Sequence, residues 1–209
     1  MDVRESYDQW AENYDSDRNL TRDLDAEATR TVLAGVCLGA ALELGCGTGK
    51  NTEFYAGMAR SLVALDFSPG MIERAREKID DAHVEFALAD LTRRWPVADA
   101  ARDLVAGNLV LEHIRDLNFI FAEAARVLRP GGAFLVSELH PFRQYQGGVA
   151  RFQKDGTTRE VAAHVHHVSD FMNAALHARL RLEGLREWWH AEDAGKPPRL
   201  LTLLFTKPA

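Results

Sequence analysis

Strands that alternate with helices of about a dozen residues, a glycine-rich turn closing the first strand, and a last pair of strands with no helix between them predict an α/β fold. The expected architecture is a Rossmann-like seven-stranded sheet, mostly parallel with a C-terminal antiparallel hairpin, plus a small β-hairpin insertion.

The elements follow in order. Leu24, Ala28 and Val32 recur every four residues and make one helical stripe over residues 21–34. Residues 40–44 are a short apolar run ending in glycines, which reads as a buried strand, and residues 50–60 return to helix. Residues 61–65 (SLVAL) form the second buried strand. Ser68-Pro69 then supplies an N-cap and a first-turn proline for a helix with Met71, Ala75 and Ile79 on one face. Residues 84–88 and 103–106 give the third and fourth strands. A helix over 119–128, closed by Arg129, Pro130 and Gly131, leads to a fifth strand at 132–138. Asp155-Gly156 between VARFQ and REVAAHVHHV is a hairpin signal foreign to a parallel crossover. Residues 169–180 carry Phe171, Ala175 and Ala178 or Arg179 at helical spacing, and residues 184–189 and 199–206 are the closing strands.

Composition bounds the function. The chain has 209 residues, 46% hydrophobic and 27% charged, an ordinary globular balance sized for one core. With 25 Lys and Arg against 31 Asp and Glu the net charge is −6, which disfavours nucleic acid as a partner. Cys37 and Cys46 supply neither a disulfide framework nor a four-thiolate metal site. No signal peptide and no apolar run of the roughly 18 residues needed to span a bilayer is evident, so a cytoplasmic protein with no membrane partner is expected.

The turn Leu42-Glu43-Leu44-Gly45-Cys46-Gly47-Thr48-Gly49 follows a strand and opens a helix, where absent side chains let a ligand approach the backbone. Lys50 makes the spacing GxGxG rather than the dinucleotide GxGxxG, and a P-loop has no match. At this turn the sequence resembles the class I S-adenosylmethionine-dependent methyltransferases, in particular small bacterial ones carrying ELGCGTG. The resemblance extends over LDFSPGMIERAREK, ALADL, DLVAGNLVLEHI and RVLRPGGAFLVSE, and to the entry segment YDQWAENYD, covering roughly residues 5–140. It implies S-adenosylmethionine as cofactor and S-adenosylhomocysteine as product. It implies contacts to the cofactor from Gly45, Cys46, Gly47 and Gly49, from Asp66 to the ribose hydroxyls with Phe67 and Met71 beside it, and from Asp90 near the adenine amino group with Leu91. Tyr14 is expected against the methionine part, with Asn108, Leu109 and His113 along the fourth-strand loop. Tyr7 and Trp10 read equally well as the apolar face of an amphipathic helix, and Cys46 as a small space-filler.

Methyl transfer from a sulfonium is an in-line displacement, for which positioning supplies most of the catalysis and a general base assists a hydroxyl or amine acceptor. His140 ends the fifth strand at the carboxyl edge of the sheet and is the expected base, helped by His164 and His166, which share a face if they lie on a strand. No ordered set of further ligands accompanies that pair, so no metal is expected. Arg143, Tyr145 and Arg151 either bind an anionic group or hold the hairpin, and Trp188 and Trp189 face opposite sides of a strand.

The expected organisation is a single domain over 1–209. Helices at 1–34 cover the cofactor, 40–138 bind it, a hairpin insertion at 140–168 lies on the substrate side, and 169–209 hold the last helix and strand pair. The expected activity is methylation of an oxygen or nitrogen atom on a small-molecule acceptor by a monomer or homodimer. The alternatives are a non-catalytic S-adenosylmethionine-binding protein and a nicotinamide-dependent oxidoreductase.

Overall fold

The computed structural model describes residues 3–12, 14–16, 18–36, 38–154 and 157–209. In chain order the strands are β1 (Leu38–Leu44), β2 (Ala59–Asp66), β3 (Val84–Leu88), β4 (Arg102–Asn108), β5 (Leu128–Leu139), β6 (Arg151–Lys154), β7 (Thr157–Glu160), β8 (Arg181–Trp188) and β9 (Leu200–Thr206). The helices are α1 (Val3–Trp10), α2 (Leu20–Val32), α3 (Thr52–Met58), α4 (Pro69–Lys78), α5 (Leu117–Val127), α6 (Pro141–Tyr145) and α7 (Val168–His177). The main sheet runs β3-β2-β1-β4-β5-β9-β8, with the first five strands parallel and β9 antiparallel to both of its neighbours. β6 and β7 form a separate antiparallel pair.

Both faces of the parallel part are covered, which is why β1 buries every residue from Ala40 to Leu44 instead of alternating. On one face Phe121 of α5 meets Phe134 and Phe205 edge-on, at ring separations of 5.1 and 5.4 Å. On the other, Tyr55 of α3 packs with Leu62, Leu104 and Leu135. The helix starts are chemically marked. Ser68 Oγ accepts from the Met71 amide at 3.1 Å ahead of Pro69, and Asn19 Oδ1 accepts from the Thr21 and Arg22 amides.

Three expected boundaries move. α5 stops at Val127, and Leu128 already pairs with Arg102 in β5; the Arg129–Gly132 turn, with Gly131 at φ +81°, is absorbed by a register shift between Arg102 and Leu104. β8 begins at Arg181, with Gly184 at an irregularity in its pairing. The strand expected to carry His164 and His166 ends at Glu160, because the backbone beyond turns to other partners. Val161 is buried against Trp10, the Ala162 carbonyl bonds the His113 ring, and the His164 amide donates to the Glu112 carbonyl at 2.6 Å. The Asp155-Gly156 turn and Cys37 lie outside the described residues.

Strand order reverses between β1, which continues toward β2 and β3, and β4, which continues toward β5. Open α/β sheets leave a crevice at the carboxyl ends of the strands at such a point.

Candidate functional site

A cavity of about 730 Å³, open solvent at its mouth included, occupies that crevice. Its wall starts at the turn after β1. Gly45 lies at φ +67°, and a Cβ there would stand 2.4 Å from Val110 Cγ2. Gly47 lies at φ +53° with no atom within 4 Å of its Cβ position. Gly49 and Cys46 do not line the cavity, against expectation. A Cβ on Gly49 would press on Ile79 and Ala75, so this glycine lets α4 close on the turn, while the Cys46 side chain is buried with Ala64, Ile72 and Phe86.

From β2 comes Asp66, whose Oδ2 accepts from the Gly47 amide at 2.8 Å and whose Oδ1 accepts from the Ser68 amide at 2.9 Å. Each carboxylate oxygen keeps a second lone pair for a ligand hydroxyl. Burial pushes this carboxyl up to about 6, against the pull of the Ser68 and Gly47 amides. Beyond β3, Asp90 is held below the usual carboxylate range chiefly by the Thr92 hydroxyl, 2.6 Å away, and keeps an acceptor at the rim. Phe67, Met71, Leu91 and Thr92 fill the wall between.

Asn108 and Leu109 follow β4. Asn108 lines the cavity, but its side chain donates to Asp25 and Thr29 at 2.8 Å and accepts from the Tyr55 hydroxyl at 2.7 Å. Asp25 also accepts from Asn51 and Ser137, so α2 braces the back of the wall. Leu109 sits at φ +53°, an uncommon conformation for a side-chain-bearing residue, and it turns the chain into Val110, His113 and Ile114.

α1 and the segment after it cover this crevice. Asp8 accepts from Ser68 Oγ and the Gly70 amide at the start of α4, and Asp15 accepts from Thr48 Oγ1 and pairs with Lys78. Tyr7 and Tyr14 thereby become cavity walls, and the Arg22 guanidinium lies 4.1 Å from the Tyr14 ring centre. The Tyr7 hydroxyl is 2.7 Å from His113 Nε2, and His113 Nδ1 is 2.9 Å from the Ala162 carbonyl. A neutral ring that donates from Nδ1 has its lone pair on Nε2, facing Tyr7. Behind them Glu112 Oε1 stands 3.7 Å from His113 Nε2, and Glu112 Oε2 accepts from Gln144 at 3.2 Å. Glu138 Oε1 accepts from the Val110 and Leu111 amides at 3.0 and 2.8 Å.

The structure does not bring His140, His164 and His166 into one acceptor site, and none of them lines the cavity. His140 caps α6: its Nδ1 accepts from the Phe142 amide at 3.1 Å, and its Nε2 donates to Glu187 on β8 at 3.0 Å. Both nitrogens are used, and burial holds the ring's pKa below the usual histidine value. His166 donates from Nε2 to the Ile114 and Leu111 carbonyls behind the β4 loop, and the His164 side chain is exposed. His140→Ala is therefore expected to cost about 1–2 kcal/mol of stability, the worth of a cap and one hydrogen bond, in denaturant unfolding. S-adenosylhomocysteine affinity should not move; a tenfold loss by calorimetry would return His140 to the site.

Arg143 is likewise committed, meeting the buried Asp193 at 2.8 Å beside the two-pronged Arg199 contact at 2.7 and 2.8 Å. Arg151 pairs with Glu160, and the Tyr145 hydroxyl meets His167. Trp188 is half-buried on β8 and bonds Thr202, while Trp189 just beyond is exposed. Tyr7, Thr92, Val110 and Ile114 on the cavity wall, and Glu112 and Glu138 behind it, are contributors that residue patterns alone did not assign. A glutamate inside the apolar run of β5 was the available signal, since such a carboxyl is buried and needs donors.

The methyltransferase-domain family matches residues 42–136. A malonyl-[acyl-carrier protein] O-methyltransferase of Hahella chejuensis is 36% identical over 139 residues, 66% of this chain and 49% of that protein. An uncharacterized methyltransferase of Emericella nidulans is 32% identical over 177 residues, covering 67% of this chain and 62% of its own length. The chain thus spans about half to three-fifths of these relatives. Among solved structures, the N-methyltransferase NodS from Bradyrhizobium japonicum in complex with S-adenosylhomocysteine superposes with a TM-score of 0.75 at 19% identity, covering 100% of both chains. An S-adenosylmethionine-dependent methyltransferase from Mesorhizobium loti gives 0.73 at 22% identity over 87% of this chain and 96% of its own. Sheet order, a glycine turn facing the crevice and the matched domain converge: residues 42–136 are a methyltransferase domain, on the fold of the class I S-adenosylmethionine-dependent methyltransferases.

Proposed function

We propose that the chain transfers a methyl group from S-adenosylmethionine to an oxygen or nitrogen atom of a small-molecule acceptor. The observation that carries this reading is one cavity with ligand-accepting carboxylates at Asp66 and Asp90 and a histidine lone pair at His113. The residues present fit the cofactor. Gly45 and Gly47 leave the turn bare, Asp66 keeps lone pairs for ribose hydroxyls, Asp90 an acceptor for the adenine amino group, and Tyr14 a ring for the methionine part. When bound, S-adenosylmethionine supplies an electrophilic methyl on a positively charged sulfur. The acceptor takes the place of the Tyr7 hydroxyl at His113 Nε2, which receives the acceptor's proton, and Glu112 sets a negative charge beside the imidazolium so formed. Tyr7, Tyr14 and Phe67 keep water away.

A carrier-bound acyl group is the second reading, favoured by the malonyl-[acyl-carrier protein] O-methyltransferases among the relatives. Calorimetry with S-adenosylmethionine, S-adenosylhomocysteine and a nicotinamide dinucleotide tests the cofactor, and formation of S-adenosylhomocysteine separates an enzyme from a silent binder.

Asp66→Ala is expected to weaken S-adenosylhomocysteine binding by about 1.5–3 kcal/mol, the worth of hydrogen bonds to a charged acceptor. With its carboxyl near 6, wild-type affinity should fall as pH drops below about 6 and level off above it, whereas Asp66→Asn should bind with a flat profile. The same raised value makes this carboxyl's share of stability decline as pH rises from the ordinary carboxylate range through about 6. Equal affinities for wild type and Asp66→Ala would reduce Asp66 to a brace for the turn.

A further inference from the structure

We infer that the acceptor is a protonated amine, selected by the buried carboxylates Glu138 and Glu112 behind the Tyr7–His113 contact. The inference rests on the methyl-transfer reading and narrows its substrate class.

Glu138 is only 3% exposed, and its Oε2 is buried without a hydrogen-bond partner among the described residues. Its Oε1 is fixed by the amides of Val110 and Leu111, and Val110 is a cavity wall, so the carboxyl is held at the back of that wall. Glu112 is 6% exposed and, among the described residues, has Gln144 and the neighbouring His113 as side-chain partners. Among the described residues, neither carboxyl has a lysine or arginine within ion-pair distance, and no lysine or arginine lines the cavity. Two buried carboxyls with an unused acceptor and no cation make a place a cation would relieve. Burial and the proximity of Glu112 hold the Glu138 carboxyl well above its usual range, so without a cation the group keeps its proton, and an ammonium would take that proton's place.

The charge balance runs against a carboxylate acceptor such as a malonyl group, which would meet two acids and no base stronger than His113. An ammonium fits. It loses one proton to His113 Nε2, its nitrogen lone pair forms the new N–C bond to the methyl, and the S–C bond breaks with its electron pair staying on sulfur. The methylated ammonium remains paired with the carboxylates, and the His113 proton leaves to water.

The test compares matched acceptors with saturating S-adenosylmethionine: phenethylamine, phenethyl alcohol and phenylacetate, then butylamine, butanol and butyrate, with malonyl-coenzyme A beside them. S-adenosylhomocysteine formation should favour each amine over its alcohol by tenfold or more, on the order expected of a charge-complementary buried site. Glu138→Gln, which keeps the size of the group and an acceptor for the Val110 and Leu111 amides, should lower kcat/KM for the amine about tenfold or more. The variant should leave the affinities for S-adenosylmethionine and S-adenosylhomocysteine in their wild-type ratio. Preferential turnover of an alcohol or carboxylate overturns the inference, as does an amine rate indifferent to Glu138→Gln. A changed cofactor ratio overturns it too, since Glu138 would then serve the sulfonium. Where no acceptor turns over, binding to the S-adenosylhomocysteine complex decides, and an amine that binds no better than its alcohol overturns it. Failure of both cofactor forms to bind wild type is a different result, and overturns the methyl-transfer reading itself.

Discussion

Gly45→Val is expected to lose both ligand and stability, whereas Gly47→Val should lose the ligand with a smaller stability cost. Both glycines sit in the left-handed region, at φ +67° and +53°, which charges a branched side chain roughly 1–2 kcal/mol. At Gly45 the new Cβ would also stand 2.4 and 2.8 Å from two Val110 carbons, and a β-branched neighbour has no flexible end to swing away. Overpacking of that kind adds about 1–3 kcal/mol, so the Gly45 variant should unfold at markedly lower denaturant, by about 2–5 kcal/mol in all. At Gly47 nothing stands within 4 Å, so only the backbone term applies, and the side chain projects into space at the cavity wall. S-adenosylhomocysteine affinity should fall about a hundredfold or more in either variant, measured by calorimetry where circular dichroism shows a folded chain. A folded Gly47→Val protein that binds like wild type would move the cofactor away from this turn.

His113→Ala is expected to lower kcat by about 10²–10⁴ with the accepted acceptor, the range for loss of a general base. Its affinity for S-adenosylhomocysteine should change by only a few-fold, because an interaction made chiefly in the transition state appears in turnover rather than in binding. Tyr7→Phe is the companion variant. It removes one hydroxyl from His113 Nε2 and keeps the ring wall, so its effect on kcat should be small beside that of His113→Ala. Full turnover in His113→Ala, measured with single-turnover kinetics, would leave positioning as the whole of catalysis.

The parallel half of the fold was readable because its signals are local. Buried parallel strands are short apolar runs, and Ser68-Pro69 marks a helix start by two adjacent residues. The same locality put Asp66, Asp90, Gly45 and Gly47 at strand ends, where they line the cavity. What escaped depends on contacts between distant residues. The Tyr7–His113 pair joins positions 106 residues apart, and Glu138 finds its donors in a loop 27 and 28 residues earlier. His164 and His166 alternate as a strand would, yet the backbone there is claimed by the β4 loop and by α1, neither of which periodicity can see. His140 stood at the strand edge as expected, but its two ring nitrogens were taken by a cap and by Glu187 of β8.

The attachment of α1 has a kinetic consequence. It is held to the cofactor side by Asp8 at the start of α4, by Tyr7 at His113, and through the following segment by Asp15 at Thr48 and Lys78. These polar contacts act beside ring contacts among Tyr7, Trp10, Tyr14, Phe67 and His113 and beside Trp10 resting on Val161. Release of a cofactor bound behind Tyr7 and Tyr14 is expected to require that set to let go, so its residence time should depend on residues that touch α4 and the glycine turn. Loosening Asp8 or Asp15 should then shorten residence and raise the dissociation constant through the off-rate alone, and where release limits the cycle it should speed turnover.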